Sequence, residues 1–167
     1  ILDRDEVMYH FVMGFTSKLA GTEVGVVEPQ ATFSACFGAP FMSHKPSVYA
    51  ELLAHRIDSH QARCILLNTG WSGGPYGVGD RMSIAHTRAL LNAALNGDLD
   101  SADTVRLPIL ELRIPVSCPG VPDEVLNPRN TWSDPDAYDQ AAIRLRDLFR
   151  QNYREQGYAS LGIQAML

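Results

Sequence analysis

Residues 64–83 read CILLNTGWSGGPYGVGDRMS, and the order of elements in this stretch decides the fold class. A short continuous apolar run at residues 64–67 predicts a strand buried on both faces. A glycine-rich loop follows at residues 70–79, and Ser83 then caps a helix that runs to about Leu95. Strand, loop and helix in this order predict an α/β fold, in which a ligand would bind where the loop meets the helix.

The flanking segments add further helices and one more strand, and residues 158–167 are predicted to be a peripheral tail. The patterns predict helices over 5–16, from Pro46 to about Asp58 and from Ser133 to about Tyr153, an edge strand over 109–116, and turns and irregular structure over 28–45. Helical spacing also predicts the inward faces: Val48, Tyr49, Leu52, Leu53 and Ile57 in the second helix, and Ile84, Thr87, Leu91 and Leu95 in the helix after the loop.

Composition narrows the class of protein. The 167 residues carry a net charge of −5, whereas a nucleic-acid-binding surface requires clustered Lys and Arg. No apolar run reaches the roughly 18 residues of a membrane-spanning helix. Three distant cysteines and five histidines match no disulfide or metal-binding spacing, so no metal site is predicted within the chain. We expect a cytoplasmic protein that binds neither nucleic acid nor membrane, and a piece of a longer one, because the chain begins with Ile1.

The residues of the glycine loop allow three interpretations. A P-loop has Lys and Ser or Thr after its last glycine, but Asp80 and Arg81 stand there, and an aspartate would repel phosphate. A dinucleotide-binding loop could start at Gly77 and Gly79, but Met82 occupies the place of its third glycine. The third interpretation is a loop without a ligand. It stays open beside nucleotide binding, which the helix N-terminus and Arg81 would favour.

Longer motifs narrow this choice. Four runs resemble the closing third of the ATP-dependent phosphoenolpyruvate carboxykinases, in the family's order and near its spacing: GFTSKLAGTE at 14–23, ATFSACFGAPF at 31–41, NTGWSGGPYGVGDRMSI at 68–84 and LNPRNTW at 126–132. The similarity covers essentially residues 7–153. It implies that residues 1–167 are the C-terminal portion of that family's mononucleotide-binding domain, which is an α/β fold.

The resemblance also implies an activity and a nucleotide site. The family converts oxaloacetate and ATP into phosphoenolpyruvate, CO₂ and ADP with divalent metals, in gluconeogenesis. Arg81, Met82 and Thr87 match family positions that contact the nucleotide, and Phe41 matches a position expected to be a pocket wall. The residue types suit these roles, because arginine can stack on a base, methionine forms an adaptable apolar wall and a threonine hydroxyl both donates and accepts hydrogen bonds.

The family's catalytic and metal-binding residues precede this stretch, so no catalytic residue is expected in the chain. Mg²⁺ and Mn²⁺ are expected to be bound by residues outside it. The expected partner is the remaining part of the same enzyme, which also takes oxaloacetate or phosphoenolpyruvate, and the isolated chain is expected to be inactive. The alternative is a non-catalytic nucleotide-binding or structural module built on the same fold.

Overall fold

A computed structural model of the chain describes residues 1–18 and 29–167, so residues 19–23 of the first family-like motif, and Glu28, lie outside the described residues. The helices are α1 (Arg4–Met13), α2 (Pro46–His60), α3 (Ile84–Asn96), α4 (Asp123–Leu126) and α5 (Pro135–Glu155). The strands are β1 (Phe15–Lys18), β2 (Gln30–Phe33), β3 (Trp71–Ser72), β4 (Asp80–Arg81), β5 (Thr104–Arg106) and β6 (Arg113–Pro115). This mixture of helices and strands confirms the α/β class.

The described strands pair as three separate antiparallel sheets of two strands each, β1 with β2, β3 with β4 and β5 with β6. The chain divides into two compact units. The first unit contains the described residues of 2–64 together with residues 147–167, and the second contains residue 1 and residues 65–146. The helix α5 contributes residues to both units, and each unit has its own packed interior.

In the first unit, α1 begins and ends where local hydrogen bonds and backbone geometry require it. The Asp3 side chain accepts a hydrogen bond from the Glu6 N–H at 3.0 Å, and the Glu6 carboxylate accepts one from the Asp3 N–H at 2.8 Å. Gly14 ends the helix with a φ of 53°, and a Cβ there would lie 1.8 Å from the Ser34 carbonyl oxygen. The helix predicted over 5–16 therefore ends before Phe15, which opens β1.

The strand β2 occupies part of a segment predicted to be irregular. Phe15 lies opposite Phe33 in the β1–β2 pair, and both rings pack 5.1 Å from the ring of Phe149 in α5. The prediction over 28–45 is wrong for Gln30–Phe33, because pairing with a partner strand supplies the order that the local pattern lacks. It is right for the two 3₁₀ turns that follow, Ala35–Phe37 and Ala39–Phe41.

The helix α2 begins at Pro46 as predicted and contacts α1. Its buried residues are Ala50 and Ala54, whereas Val48 and Leu52 of the predicted inward face are exposed. The prediction is wrong for those two residues, because small side chains allow a neighbouring helix to approach closely and leave no room for larger ones on the buried face. Tyr49, Leu53 and Ile57 are half-buried.

The C-terminal segment completes the interior of the first unit. Tyr158 is only 2% exposed, and its hydroxyl donates a hydrogen bond to the Val12 carbonyl at 2.9 Å. That carbonyl lies in the last turn of α1, where helical carbonyls have no partner within the helix. Ile163 is buried as well. The predicted peripheral tail is therefore wrong, because a single 3₁₀ turn is too short to carry a readable apolar period.

We expect Tyr158→Phe to lower the free energy of unfolding by about 1 kcal/mol, because the buried Val12 carbonyl would lose its donor. Tyr9→Phe is the matched control. The Tyr9 hydroxyl is buried with no hydrogen-bond partner among the described residues, and burial raises its pKa to about 12. Removing it should be neutral or slightly stabilising. Urea unfolding of both variants measures the difference, and equal losses of stability would contradict this assignment.

In the second unit, α3 has the bounds predicted from its capping residues. The Ser83 hydroxyl oxygen accepts a hydrogen bond from the His86 N–H at 3.1 Å, and Gly97 ends the helix in the left-handed conformation with a φ of 85°. One face of α3 packs into a core of five buried residues: Leu90, Ala93, Leu99, Cys118 and Val121.

The opposite face of α3 is apolar and exposed. Ile84, Leu91 and Leu95, here called the α3 stripe, are 72%, 46% and 71% exposed. The prediction that these residues face inward is wrong, because α3 carries apolar residues on two faces and only the face with Leu90 and Ala93 is covered in the described structure.

The predicted buried strand at 64–67 does not form in the described structure. Cys64 makes a single bridge to Leu2, while Leu66 and Leu67 are exposed. The prediction is wrong because a strand needs neighbours to complete its ladder, and no described segment pairs with residues 65–67. The edge strand predicted over 109–116 is confirmed only for Arg113–Pro115, which forms β6 and pairs with β5, whereas residues 108–110 form a turn.

The last helix also follows its sequence signals. The Asp134 side chain accepts hydrogen bonds from the N–H groups of Asp136 and Ala137 at 2.9 and 3.1 Å, so α5 starts at Pro135 close to the predicted position. Among the helices of residues 1–18 and 29–167, none combines the length and the apolar character needed to cross a membrane.

Candidate functional site

The glycine-rich loop is a β-hairpin whose two ends pair with each other. Trp71 lies opposite Arg81 and Ser72 lies opposite Asp80 in the β3–β4 ladder. The Met82 N–H donates a hydrogen bond to the Gly70 carbonyl at 3.0 Å and extends the pairing by one step. The start of the glycine-rich loop predicted over 70–79 is therefore paired, residues 70–72 with residues 80–82, and the hairpin leads directly into the cap of α3.

Two glycines allow the hairpin to close. A Cβ on Gly79 would lie 2.5 Å from the Gly74 carbonyl oxygen and 2.6 Å from the Ser72 carbonyl oxygen. A Cβ on Gly74 would lie 2.9 Å from the Gly79 nitrogen. Real Cβ atoms do not approach backbone atoms this closely, so the two arms of the hairpin can meet here only without side chains.

Arg81 is exposed in β4. Its guanidinium carbon lies 5.2 Å from the centre of the Trp71 ring, within the range of a cation–π contact. Side chains alternate along a strand, so Asp80 points to the opposite face from Arg81. Among the described residues, no carboxylate lies within ion-pair distance of Arg81, which leaves its hydrogen-bond donors available to a ligand.

Met82 and Thr87 flank the start of α3. Met82 is half-buried and packs against the core that includes Leu90. The Thr87 hydroxyl donates a hydrogen bond to the Ser83 carbonyl at 3.0 Å, which leaves its oxygen lone pairs to accept one. Arg81, Met82 and Thr87 thus occupy the end of the hairpin and the first turn of one helix.

Phe41 belongs to the first unit. Its ring is 91% exposed and follows a tight turn in which Cys36 and Phe37 have φ values of 52° and 58°. Such left-handed conformations are uncommon for residues other than glycine. The described residues of this unit form no enclosing wall around the ring, so its role as a pocket wall stays a prediction.

The LNPRNTW segment braces the hairpin, and sequence reasoning missed this role. The Thr131 hydroxyl oxygen accepts a hydrogen bond from the Gly73 N–H at 2.9 Å and donates one to the Pro128 carbonyl at 2.8 Å. The motif itself was visible in the sequence, but no local pattern reveals a partner 58 residues away.

An ion pair fixes the same segment to α5. Arg129 donates two hydrogen bonds to the Asp139 carboxylate, at 2.9 and 3.0 Å. These bonds hold the pKa of Asp139 below its usual value and raise the pKa of Arg129. Two parallel hydrogen bonds from a planar guanidinium fix orientation as well as distance, so the segment that carries Thr131 has a defined position.

Thr131→Val should loosen the hairpin without changing the size of the side chain appreciably. The Gly73 N–H would lose its acceptor, a hydrogen bond worth about 1 kcal/mol, so amide exchange within residues 70–82 should accelerate about fivefold. Thr131→Ser keeps the hydroxyl and is the control. Hydrogen-exchange mass spectrometry compares the two, and equal protection of the hairpin in both variants would contradict the brace.

The described residues do not assemble a metal centre. Within 1–18 and 29–167, the His, Cys, Asp and Glu side chains do not come together in groups of three, as a metal-binding site would require. The free cysteines Cys36, Cys64 and Cys118 are half-buried or buried.

Comparison with known proteins identifies the family. A family model described as phosphoenolpyruvate carboxykinase matches residues 1–124, which include the hairpin and α3. The chain belongs to the phosphoenolpyruvate carboxykinase family. A relative named phosphoenolpyruvate carboxykinase (ATP) from Geobacter metallireducens is 54% identical over 167 residues, 99% of this chain and 32% of the relative.

Two further relatives in the phosphoenolpyruvate carboxykinase family bear the same name. The protein of Geobacillus thermodenitrificans is 53% identical over 165 residues, 99% of this chain and 31% of the relative. The protein of Geobacter sp. strain M21 is 57% identical over 150 residues, 90% of this chain and 28% of the relative. The chain therefore spans about a third of the length of these curated relatives.

Proposed function

We propose that this chain is the C-terminal portion of the mononucleotide-binding domain of an ATP-dependent phosphoenolpyruvate carboxykinase. The intact enzyme would act in the cytoplasm, in gluconeogenesis, converting oxaloacetate and ATP into phosphoenolpyruvate, CO₂ and ADP. Within it, Arg81, Met82 and Thr87 would bind ATP. Family membership and the name that the relatives bear support this reaction.

The main observation in support of the nucleotide site is the environment of Arg81. An exposed guanidinium with no carboxylate partner among the described residues stands immediately before the N-terminus of α3. Helix N-termini present free N–H groups and a positive dipole end, which together favour an anionic ligand. Arg81 can meet a nucleotide base with its flat face or a phosphate with its N–H donors.

The neighbouring residues would complete a mixed polar and apolar surface. Half-buried Met82 would present its exposed part as an apolar wall, and the Thr87 oxygen would accept a hydrogen bond from the ligand. Phosphoryl transfer depends on positioning and on neutralising the charge of the phosphates. As the family resemblance implies, Mg²⁺ or Mn²⁺ would be held by residues outside this chain.

The exposed α3 stripe supports the proposal that the partner of this chain is the remaining part of the same enzyme. Ile84, Leu91 and Leu95 form an apolar face next to the proposed site, and the curated relatives are about three times as long as this chain. Burying these side chains in the intact enzyme would contribute favourable free energy of about 25 cal/mol for each Å² removed from water.

A coupled assay of the full-length protein tests the reaction. We expect phosphoenolpyruvate to form from oxaloacetate with ATP and a divalent metal, and much more slowly with GTP, while the isolated 167-residue chain should be inactive. Binding of ATP without turnover by the full-length protein would refute catalysis and favour the non-catalytic nucleotide-binding alternative. Activity of the isolated chain would refute the assignment of the catalytic groups to residues outside it.

A further inference from the structure

Trp71 and Arg81 form a stacked pair that the proposed reaction alone does not require. They are direct cross-strand partners in the β3–β4 ladder, so their side chains leave the hairpin on the same face. The guanidinium carbon lies 5.2 Å from the centre of the indole ring. The Tyr76 ring packs against Trp71, and the centres of the two rings lie 5.6 Å apart.

The three side chains differ in how firmly they are held. Trp71 is half-buried and Tyr76 contacts it, whereas Arg81 is exposed and makes no ion pair with the described residues. An arginine without a fixed partner samples many rotamers, and a ligand that binds it must restrict them. Stacking on one face restricts the side chain in advance and leaves the other face and the edges of the guanidinium open.

We infer that Trp71 is a positioning residue for Arg81: it holds the guanidinium in its nucleotide-binding orientation and does not itself contact the nucleotide. The inference rests on the proposed nucleotide site and goes further, because it assigns a function to a residue that would otherwise be regarded as packing. The hairpin geometry supplies the alignment. Gly79 and Gly74 bring the arms together, and Thr131 ties Gly73 in place, so Trp71 is held opposite Arg81.

A double-mutant cycle in the full-length enzyme tests the inference. Trp71→Leu should weaken ATP binding about two- to fivefold, the range expected for losing an exposed cation–π contact. The turnover number and the KM for oxaloacetate should stay the same. Trp71→Phe retains a smaller aromatic face and should bind ATP with intermediate affinity. In the Arg81→Ala background, Trp71→Leu should cause no further loss, because its effect acts through Arg81.

The other outcomes of the cycle separate the competing roles. A further loss in the Arg81→Ala background overturns the inference, because Trp71 would then contact the nucleotide itself. A lower melting temperature with unchanged ATP affinity in the folded protein also overturns it, since Trp71 would only support the hairpin. Unchanged ATP affinity in Arg81→Ala alone refutes the proposed nucleotide site. If Trp71→Leu does not fold, the cycle is repeated with Trp71→Phe. The changes in ATP affinity are then smaller, but the same outcomes distinguish the competing roles.

Discussion

Arg81→Ala in the full-length enzyme is expected to raise the KM for ATP on the order of 5- to 150-fold. A charge-assisted hydrogen bond or a desolvated cation–π contact is worth about 1–3 kcal/mol, and each 1.4 kcal/mol is tenfold in affinity. The KM for oxaloacetate should change far less, since no described residue near Arg81 is proposed to bind that substrate. Calorimetry with ATP, together with the melting temperature, measures both parts of the prediction.

Two matched variants sharpen this test. Arg88 is an exposed arginine in α3, the helix that follows Arg81, so Arg88→Ala removes an equal charge and should leave ATP affinity nearly unchanged. Arg81→Lys keeps the charge but loses the planar guanidinium, so it should recover only part of the affinity if stacking contributes. A drop in stability with unaltered ATP affinity in Arg81→Ala would show that Arg81 merely braces the hairpin.

Gly79→Ala is expected to disrupt the hairpin, at a cost of about 3 kcal/mol or more. The new Cβ would meet three backbone atoms at 2.5 to 2.6 Å, and backbone atoms cannot rotate away as a side chain does. Hydrogen exchange across residues 70–82 should rise to nearly the rate of an unpaired segment, and ATP binding should be lost with it. Circular dichroism should show the helices retained, because the clash lies outside them.

Gly77→Ala is the matched control for that substitution. Gly77 has a φ of 84°, but a Cβ there would find no atom within 4 Å. It should therefore cost only the left-handed backbone strain, about 1–2 kcal/mol, and leave the pairing of Trp71 with Arg81 intact. Equal loss of ATP binding in both variants would show that the close approach of Gly79 and Gly74 is not what holds the site together.

The bounds of the helices could be predicted from sequence where a local residue sets them. Ser83 and Gly97 delimit α3, Pro46 opens α2, and Asp134 caps α5, as the sequence indicated. In each case the decisive interaction lies within three residues of the helix end, so a short window of sequence contains all the information needed.

The faces of the helices and the strand at 64–67 could not be predicted in this way. Apolar spacing identifies an apolar face but not the segment that covers it, and α3 has two such faces. A strand exists only through its neighbours, so the apolar run at 64–67 is not a strand without them. The buried position of Tyr158 likewise depends on a hydrogen bond to Val12, 146 residues away.

The residues of the candidate site could be predicted from the family resemblance, whereas their contacts could be found only in the structure. The motif indicates Arg81, Met82 and Thr87, and their role in nucleotide binding stays a prediction. The stacking of Arg81 on Trp71 and the brace from Thr131 depend on the register of a hairpin and on a distant segment. The structure places Trp71 beneath the cation.

The brace between Gly73 and Thr131 has a consequence for the order of events during folding. The hairpin closes over a few residues, and such local contacts form quickly, whereas the brace joins residues 58 apart and must await closure of a long loop. The hairpin can therefore appear early and stay mobile until the LNPRNTW segment docks. In refolding from denaturant, competence to bind ATP should consequently lag behind the recovery of helical signal, and the nucleotide site should mature last.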